Sequence, residues 1–347
     1  MKKIVPLFVF LCCLLSSCWQ DVYVDWDEGP ARLSLTTRQL CADSAIQVVI
    51  QPASRDDYDA YRDSLQYYLQ VELRVNGVEQ GKMYIEEVTD SLSYFPYTTY
   101  YTSDYIPKEG DRIEIRATCE GFEPFKAETR IPSVVPIEKL DYTCECDTAS
   151  RFIRIELQLT FQDKPTTADY YAYNYWVMIK DSLGQLVYSP FNYGYGDNSF
   201  WFRGTQGKID PIVKFRPNTL DYMLDETSGL DANFFDDSDI SGESYTLNFS
   251  FSGSFGGYIF NGQYDEYVSI LPDTLYVQPV LISMSQDYYY YNISSWASQG
   301  LLIGSLTEVG LSDPIKEYSN VDGGVGVLYG CNRSSALLEI VTKDYWE

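Results

Sequence analysis

Apolar and polar residues alternate with a period of two along most of the chain after residue 30. The clearest segments are RLSLTTRQL, YLQVELRVNG, DRIEIRATCEG, RFIRIELQLTFQD and ESYTLNFSFSG, with Gly, Asn, Asp or Pro between them. Such segments bury one face and expose the other, as a strand of a half-buried sheet does. The pattern predicts an all-β protein of many short strands, the arrangement of sandwiches and barrels.

Two segments lack this alternation, and a third segment contains prolines that interrupt it. DYDAYRDSLQYYLQ, at 57–70, and DYYYYNISSWASQ, at 287–299, have modest helical character. RIPSVVPIEKL, at 130–140, contains two prolines, which favour neither a helix interior nor a central strand. We therefore predict two domains: an N-terminal Ig-like β-sandwich over 31–132, and a larger C-terminal β-sandwich or barrel-like domain over 133–347.

The N-terminus has the pattern of an export signal. Two lysines precede an apolar run from Ile4 to Leu15, which is shorter than the about 20 residues that span a bilayer. Leu-Ser-Ser-Cys follows and resembles the bacterial lipobox. We predict a signal peptide at 1–17, lipid attachment at Cys18 and a lipidated tether over 18–30. The alternative is an ordinary signal peptide with an incidental thiol.

Charge and composition narrow the classes of function. The chain has 25 basic and 50 acidic residues, a formal net charge of −25 at pH 7, and is 45% hydrophobic and 16% aromatic. This surface repels phosphate backbones and anionic membranes, so nucleic acid is not an expected partner and membrane association needs the lipid. The hydrophobic content excludes wholesale disorder. We expect a folded, acidic, tethered protein.

The chain contains no histidine. That absence excludes Ser-His-Asp and Cys-His catalysis and histidine zinc sites. The sequence also has no GxSxG elbow, no GxxxxGK phosphate loop and no CxxC pair. Hydrolysis by paired carboxylates remains open, although their spacing singles out no pair. We therefore interpret the chain as non-enzymatic, with no cofactor.

Several landmarks resemble a known family. They are GDRIEIRATCEGFEPFKAETRIPS, DYYAYNYWV, FFDDSDISGESYTL and SDPIKEYSNVDGGVGVLYG. Together they resemble the Bacteroidota lipoproteins grouped as domain of unknown function 4249. In the last landmark we interpret Asp322-Gly323-Gly324 as a turn that tolerates positive φ between two strands. Family members often carry a paired-cysteine motif in the second domain, and here only Cys144 and Cys146 lie early in it.

The resemblance implies a location and a partner. Genes of the family often neighbour those of TonB-dependent receptors, and no reaction is established for it. The acids of the tether resemble the stretch that follows the lipidated cysteine in surface-exported lipoproteins, although an ordinary linker would look similar. We expect an outer-membrane lipoprotein at the cell surface that assists a TonB-dependent β-barrel receptor or binds its glycan or peptide ligand. A fimbria-like adhesin subunit and a carboxylate-based glycosidase are the alternatives.

Aromatic and acidic clusters provide candidate contacts. YSPFNYGYGDNSFWF looks like a loop, and exposed loop aromatics favour binding, so we select Tyr193, Tyr195 and Trp201. The acidic stretch at 236–243 matches only the first half of a calcium loop, because Asn248 stands where a bidentate glutamate is needed. We predict no metal there and leave the calcium alternative open.

Cysteines and hydroxyls suggest covalent modifications. Cys41 with Cys119 would staple the first domain, and Cys331 with Cys144 or Cys146 the second, but the sequence does not choose. Asp followed by Ser or Thr and then Ala or Leu recurs and resembles the acceptor site of Bacteroidota O-glycosylation, while such pairs also open turns. The candidate acceptors are Ser44, Ser64, Ser91, Thr148, Ser182 and Thr274.

Overall fold

A computed structural model describes residues 31–53, 68–89, 97–165, 167–180, 186–188, 201–213, 233–260, 265–270, 272–299 and 316–345. The expected signal peptide, Cys18 and the tether lie outside these ranges. Nearly all regular structure within them is strand, arranged in four sheets, so the predicted all-β class and its sandwich arrangement are confirmed.

The strands fall into two groups along the chain. The first group is β1 (Leu33–Gln39), β2 (Gln47–Pro52), β3 (Gln70–Val75), β4 (Val78–Lys82), β5 (Tyr84–Thr89), β6 (Tyr97–Thr102), β7 (Arg112–Thr118) and β8 (Phe125–Arg130). The second group is β9 (Ile137–Asp147), β10 (Phe152–Gln162), β11 (Tyr170–Lys180), β12 (Leu186–Tyr188), β13 (Trp201–Gln206), β14 (Phe234–Asp236), β15 (Ser244–Phe260), β16 (Asp265–Ile270) and β17 (Leu275–Met284). Helix α1 (Gln286–Gln299) follows, and then β18 (Val321–Asp322), β19 (Val325–Val327), β20 (Cys331–Ser335), β21 (Leu338–Ile340) and a 3₁₀ turn at Thr342–Tyr345.

Two sheets form the first sandwich. Their strand orders are β19–β1–β2–β6–β5 and β18–β8–β7–β3–β4. Alternate residues of strands β1, β2, β3 and β8 point between the sheets, and fully buried aliphatic side chains such as Leu35, Leu73 and Ile115 fill the core. The alternation seen in the sequence therefore corresponds to the inward and outward faces of these strands.

The chain returns to the first sandwich after building the second one. Strand β18 pairs antiparallel with β8, and β19 pairs parallel with β1. Residues 321–327 thus add one strand to each sheet of the first sandwich. The predicted linear division assigned this segment to the C-terminal domain, but strand pairing joins it to the N-terminal sandwich. Periodicity could not indicate this, because it reveals strands and not their partners.

Glycines make this return possible. Gly323 and Gly326 have φ of 83° and 99°, in the left-handed region. A Cβ added at Gly323 would overlap the carbonyl oxygen of Pro124, and one at Gly326 would overlap that of Leu35. The predicted turn between two strands in this landmark is confirmed, and close backbone approach is a further reason for its glycines.

The second sandwich has an aromatic core. One sheet runs β13–β15–β10–β9 with β16 on β15, and the other runs β12–β11–β17–β20 with β14 on β11 and β21 on β17. Phe161, Tyr171, Tyr173, Phe249 and Phe251 are almost fully buried between them. Tyr173 and Phe249 bring their ring centroids to 4.6 Å across the two sheets. Aromatic side chains therefore fill much of the space between these sheets.

Helix α1 confirms one of the two helical predictions. Ser285 precedes it and accepts a hydrogen bond at its Oγ from the backbone N of Tyr288, at 3.3 Å, as an N-cap does. Asp287 lies in the first turn, where the helix dipole favours a negative charge. The other helical prediction, at 57–70, falls almost wholly outside the described residues. Within the described part of the chain, none of the helices has the length and apolarity needed to span a membrane.

Candidate functional site

Four tyrosines from three separate segments form a partly exposed cluster on the second sandwich. We call it the tyrosine surface and define it as Tyr170, Tyr289, Tyr290 and Tyr318. The ring centroid of Tyr170 lies 4.8 Å from that of Tyr289 and 6.2 Å from that of Tyr290. Tyr290 and Tyr318 are 5.8 Å apart by the same measure. Tyr290 is 40% exposed, so the cluster reaches solvent.

Strand pairing and the start of α1 explain why these rings meet. Tyr170 is paired with Met284, the last residue of β17, and α1 begins two residues later. Tyr171 and Tyr173 point into the core, so alternation turns Tyr170 to the opposite face, toward the helix. The backbone N of Tyr318, three residues before β18, donates to Ser294 Oγ at 2.7 Å, which holds Tyr318 against α1.

Two carboxylates order the phenol groups. Tyr289 donates its hydroxyl to Asp236 Oδ2 at 3.1 Å, and Tyr318 donates to Asp287 Oδ1 at 2.8 Å. Asp287 Oδ2 also accepts from Thr129 Oγ1, at 2.8 Å, and so connects α1 to the first sandwich. Burial and these carboxylates raise the pKa of both phenols. The phenol groups of Tyr289 and Tyr318 are therefore neutral near physiological pH, and their hydrogen bonds hold these two rings in place.

The same face of β11 extends beyond the cluster. By alternation Trp176 shares that face with Tyr170, and it is 44% exposed. Rigid aromatic rings beside hydrogen-bonding groups provide contact area at a low cost in side-chain entropy. Chemically, the arrangement suits recognition of another surface or ligand.

Three aspartates form a second cluster, on the same sandwich. One carboxylate oxygen from each of Asp163, Asp169 and Asp237 lies within 4.8 Å of the others. Asp163 already accepts from Tyr171 OH at 2.5 Å and from the backbone N of Gly242 at 2.8 Å. Burial, followed by the charges of the other two aspartates, raises the pKa of Asp237. These groups could hold a cation or a proton, but the bonds to Asp163 explain the cluster as a structural network.

This network differs from the calcium loop considered in the sequence. Asp237 belongs to that loop, yet it meets residues near the ends of β10 and β11. Asp239 and Ser241, the next expected ligands, are exposed. The calcium-loop pattern therefore did not identify the three aspartates whose carboxylates lie close together. We assign no metal to this cluster.

Of the three contact residues chosen from the sequence, Tyr193 and Tyr195 lie outside the described residues. Trp201 is the first residue of β13 and pairs with Gly256 of β15. The expectation that Trp201 belongs to a loop is therefore wrong, because the six residues that it begins add a strand to a sheet edge. In the sequence, Tyr170, Tyr289 and Tyr290 belong to aromatic clusters and Tyr318 to a family landmark, and nothing in their spacing indicated which rings face outward.

Three candidate glycosylation sites can be located. Thr148 is exposed in the turn between β9 and β10, where Asp147 Oδ1 accepts from the backbone N of Ala149 at 2.9 Å. Ser44 is partly buried and donates to the carbonyl of Cys41 at 3.0 Å, and Thr274 is partly buried just before β17. Ser64, Ser91 and Ser182 lie outside the described residues. The structure leaves their modification untested and makes Thr148 the most accessible described acceptor.

The cysteines meet in pairs other than those expected. Cys41 Sγ lies 3.5 Å from Cys331 Sγ, and Cys144 Sγ lies 3.7 Å from Cys146 Sγ. The expected pairings were wrong because the return of the chain to the first sandwich carries Cys331 to Cys41.

Comparisons with known proteins give a family and little else. No curated protein matches the sequence. Among solved structures, the chain is similar to the apo structure of Bacteroides uniformis beta-glucuronidase 3, with 11% identity and a TM-score of 0.18. The match covers 71% of this chain and only 25% of that one, and a likeness this weak supports no inference. The family model for a domain of unknown function (DUF4249) matches residues 55–336, so the chain belongs to that family.

Proposed function

We propose that the protein is an outer-membrane lipoprotein of the Bacteroidota type, anchored through Cys18 and displayed at the cell surface. It serves a TonB-dependent β-barrel receptor as a non-enzymatic partner. The tyrosine surface is the observation that carries this proposal, because it offers exposed, preoriented aromatic contacts on a rigid scaffold. A glycan or peptide ligand of that receptor is a further candidate for contact with the tyrosine surface.

The anchor supports the location. A lipidated cysteine with more than one acyl chain gives stable membrane attachment, whereas a single chain is marginal. The net charge of −25 would oppose adsorption to an anionic membrane without lipid. Residues 18–30 then provide a tether between the lipid and β1, which begins at Leu33.

The tyrosine surface supports the partnership. Tyrosine and tryptophan are enriched among the residues that dominate binding energy at protein interfaces, and charges at the rim contribute less. Three of the rings lie on strand β11 and helix α1, and the hydrogen bond to Ser294 holds Tyr318 against that helix. Contacts held in this way lose little freedom when a partner binds.

The position of β1 favours the receptor partner over the fimbrial alternative. An adhesin of that kind would need a protease to release a strand near Arg32 or Arg38. Strand β1 is paired on both edges, with β2 on one side and β19 on the other. Removing it would break both ladders in the middle of a sheet and not free an edge strand.

Purification from native membranes tests the proposal. Extraction in mild detergent should recover a large β-barrel protein in near-stoichiometric amount with the chain. Ladders of the chain alone would support the fimbrial alternative, and a lone monomer would contradict both.

A Cys18→Ala variant tests the anchor separately. It should move the chain out of the membrane fraction without unfolding it, because the tether precedes both cores. Continued extraction by detergent alone would contradict lipid anchoring.

A further inference from the structure

Two cysteines that are distant in sequence meet where the chain leaves the first sandwich for the last time. Cys41 lies between β1 and β2, and Cys331 is the first residue of β20 in the second sandwich. They are 290 positions apart, yet their Sγ atoms are separated by 3.5 Å. A bond between them would therefore join the β1–β2 connection of the first sandwich to strand β20 of the second.

Hydrogen bonds on both sides fix the two backbones independently of the thiols. The backbone N of Cys331 donates to the carbonyl of Leu40 at 3.0 Å. The backbone N of Ala42 donates to Asn332 Oδ1 at 2.8 Å, and Asn332 Nδ2 donates to the carbonyl of Pro132 at 2.5 Å. The residues on either side of Cys41 are thus held to Cys331 and Asn332, and bonding requires only a small movement of the sulfurs.

We propose that Cys41 and Cys331 form a disulfide that clasps the two sandwiches together in an oxidising compartment. The proposal rests on the export expected from the N-terminal signal and not on the receptor partnership. A ring of this length removes many conformations from the unfolded chain, so the clasp stabilises the fold.

The bond forms by thiol–disulfide exchange with an oxidant that itself contains a disulfide. In the cell envelope this oxidant is an oxidoreductase, and in the test tube it is glutathione disulfide. Cys41 is partly exposed, and its hydrogen bond with Cys331, aided by the charge of Arg333, lowers the pKa of its thiol to about 6. Its thiolate attacks one sulfur of the oxidant, giving a mixed disulfide and releasing the other sulfur as a thiolate. The Cys331 sulfur, after losing its proton, then attacks Cys41 Sγ and displaces the second thiolate. The two cysteines lose two electrons and two protons, and the oxidant is reduced to two thiols.

Cys144 and Cys146 provide an internal control. Their Sγ atoms are 3.7 Å apart, but the residues stand two positions apart on the same face of β9. That spacing separates their Cβ atoms by roughly 6.5 Å, whereas a disulfide needs about 3.5–4.5 Å. This pair should therefore stay reduced under conditions that close the clasp.

Peptide mapping tests the proposal on the full lipidated chain, purified in detergent, reduced, and then equilibrated with glutathione disulfide. Free thiols are alkylated after denaturation, and the digest is analysed by mass spectrometry. We expect one linked peptide pair containing Cys41 and Cys331, with Cys119, Cys144 and Cys146 alkylated. Alkylation of both Cys41 and Cys331, or a link from either to another cysteine, would overturn the proposal.

Two variants connect the bond to stability. Under oxidising conditions, Cys41→Ser should lower the thermal midpoint by roughly 5–10 °C, and Cys144→Ser should lower it by much less. Under reducing conditions the wild type should fall to the level of Cys41→Ser. An unchanged wild-type midpoint on reduction would contradict the clasp. Failure of the bond leaves the co-purification result unaffected, so the two proposals can fail separately.

Discussion

The two sandwiches share an architecture but differ in the composition of their cores and in the origin of their strands. The first has a largely aliphatic core and takes one strand for each sheet from residues 321–327. The second has an aromatic core, and its sheets are built entirely from strands after residue 136 within the described part of the chain. From the order of strands in the sequence, each sandwich would be expected to contain strands from only one continuous part of the chain.

This difference suggests a division of roles. The first sandwich depends on close backbone packing where residues 323–326 return to it, and that segment has little tolerance for added atoms. In the second sandwich, aromatic residues continue from the core to the tyrosine surface. We therefore propose that the second sandwich is the part that presents contacts to a partner.

The largest expected effect tests how strictly the returning segment closes the first sandwich. Gly326→Ala should lower the free energy of unfolding by about 3 kcal/mol or more, because the added Cβ overlaps Leu35 O and φ is positive. Gly77→Ala is the matched control, since Gly77 has φ of 82° and no atom within 4 Å of an added Cβ. Gly77→Ala should lower the free energy of unfolding by about 1 kcal/mol. Equal losses in denaturant titrations would show that β19 does not close the sandwich.

A second substitution compares a buried with an exposed tyrosine–aspartate bond. Tyr171→Phe removes the hydroxyl that Asp163 accepts in the core of the second sandwich, and should cost roughly 1–3 kcal/mol. Tyr84→Phe removes a 3.0 Å bond to Asp104 at the surface of the first sandwich and should cost less than about 0.5 kcal/mol. Similar losses in thermal or denaturant unfolding would contradict the distinction.

Much of the fold could be predicted from the sequence, because strand periodicity is local. The segment RFIRIELQLTFQD alternates along its whole length, and β10 does the same in the structure. The turn at Gly323 could be predicted as well, since a Gly-Gly pair tolerates positive φ. The pairing of β19 with β1 could not, because it joins Leu35 to a residue nearly the whole chain away and neither strand encodes its partner.

The candidate site was less predictable for a related reason. Tyr170 and Tyr171 are adjacent and chemically identical, yet one contributes to the tyrosine surface and the other is fully buried. Only the register of β11 distinguishes them, and a shift of one residue would exchange their roles. The contact with Tyr318 also depends on the return of the chain, which local patterns do not reveal.

The aspartate network gives a pH-dependent prediction for the second sandwich. The raised pKa of Asp237 means that the folded chain binds more protons than the unfolded chain just above the ordinary range of an aspartate. The stability that Asp237 contributes by binding this proton is therefore present at low pH. It is lost as the pH rises through the pKa that Asp237 has in the folded chain. Asp237→Asn should stabilise the chain at pH 7 and have no such effect near pH 3.

Asp239→Asn is the control for that change, because Asp239 is an exposed residue of the same turn. Asp239→Asn should change the free energy of unfolding at pH 7 by less than about 0.5 kcal/mol. A loss of stability in Asp237→Asn at pH 7, or strong stabilisation of the wild type by added calcium, would contradict a purely structural network.

The smallest effect concerns modification and leaves stability unchanged. If the Asp-Ser/Thr pattern marks glycosylation, Thr148 should be occupied more fully than Ser44, because its turn is exposed and Ser44 is partly buried. Intact-mass and peptide measurements on protein from the native host would check this, with Thr148→Ala as the control. A mass equal to that of the lipidated polypeptide alone would contradict the pattern.

Site-specific photo-crosslinking tests most directly whether the second sandwich presents the partner contact. A benzophenone amino acid replaces either Tyr290 or Tyr84 in the native host, since these tyrosines are 40% and 49% exposed and lie on different sandwiches. We predict that irradiation links a β-barrel receptor to the chain from position 290 and not from position 84. Equal yields at both positions, a receptor linked only from position 84, or no receptor linked from position 290 would contradict the account.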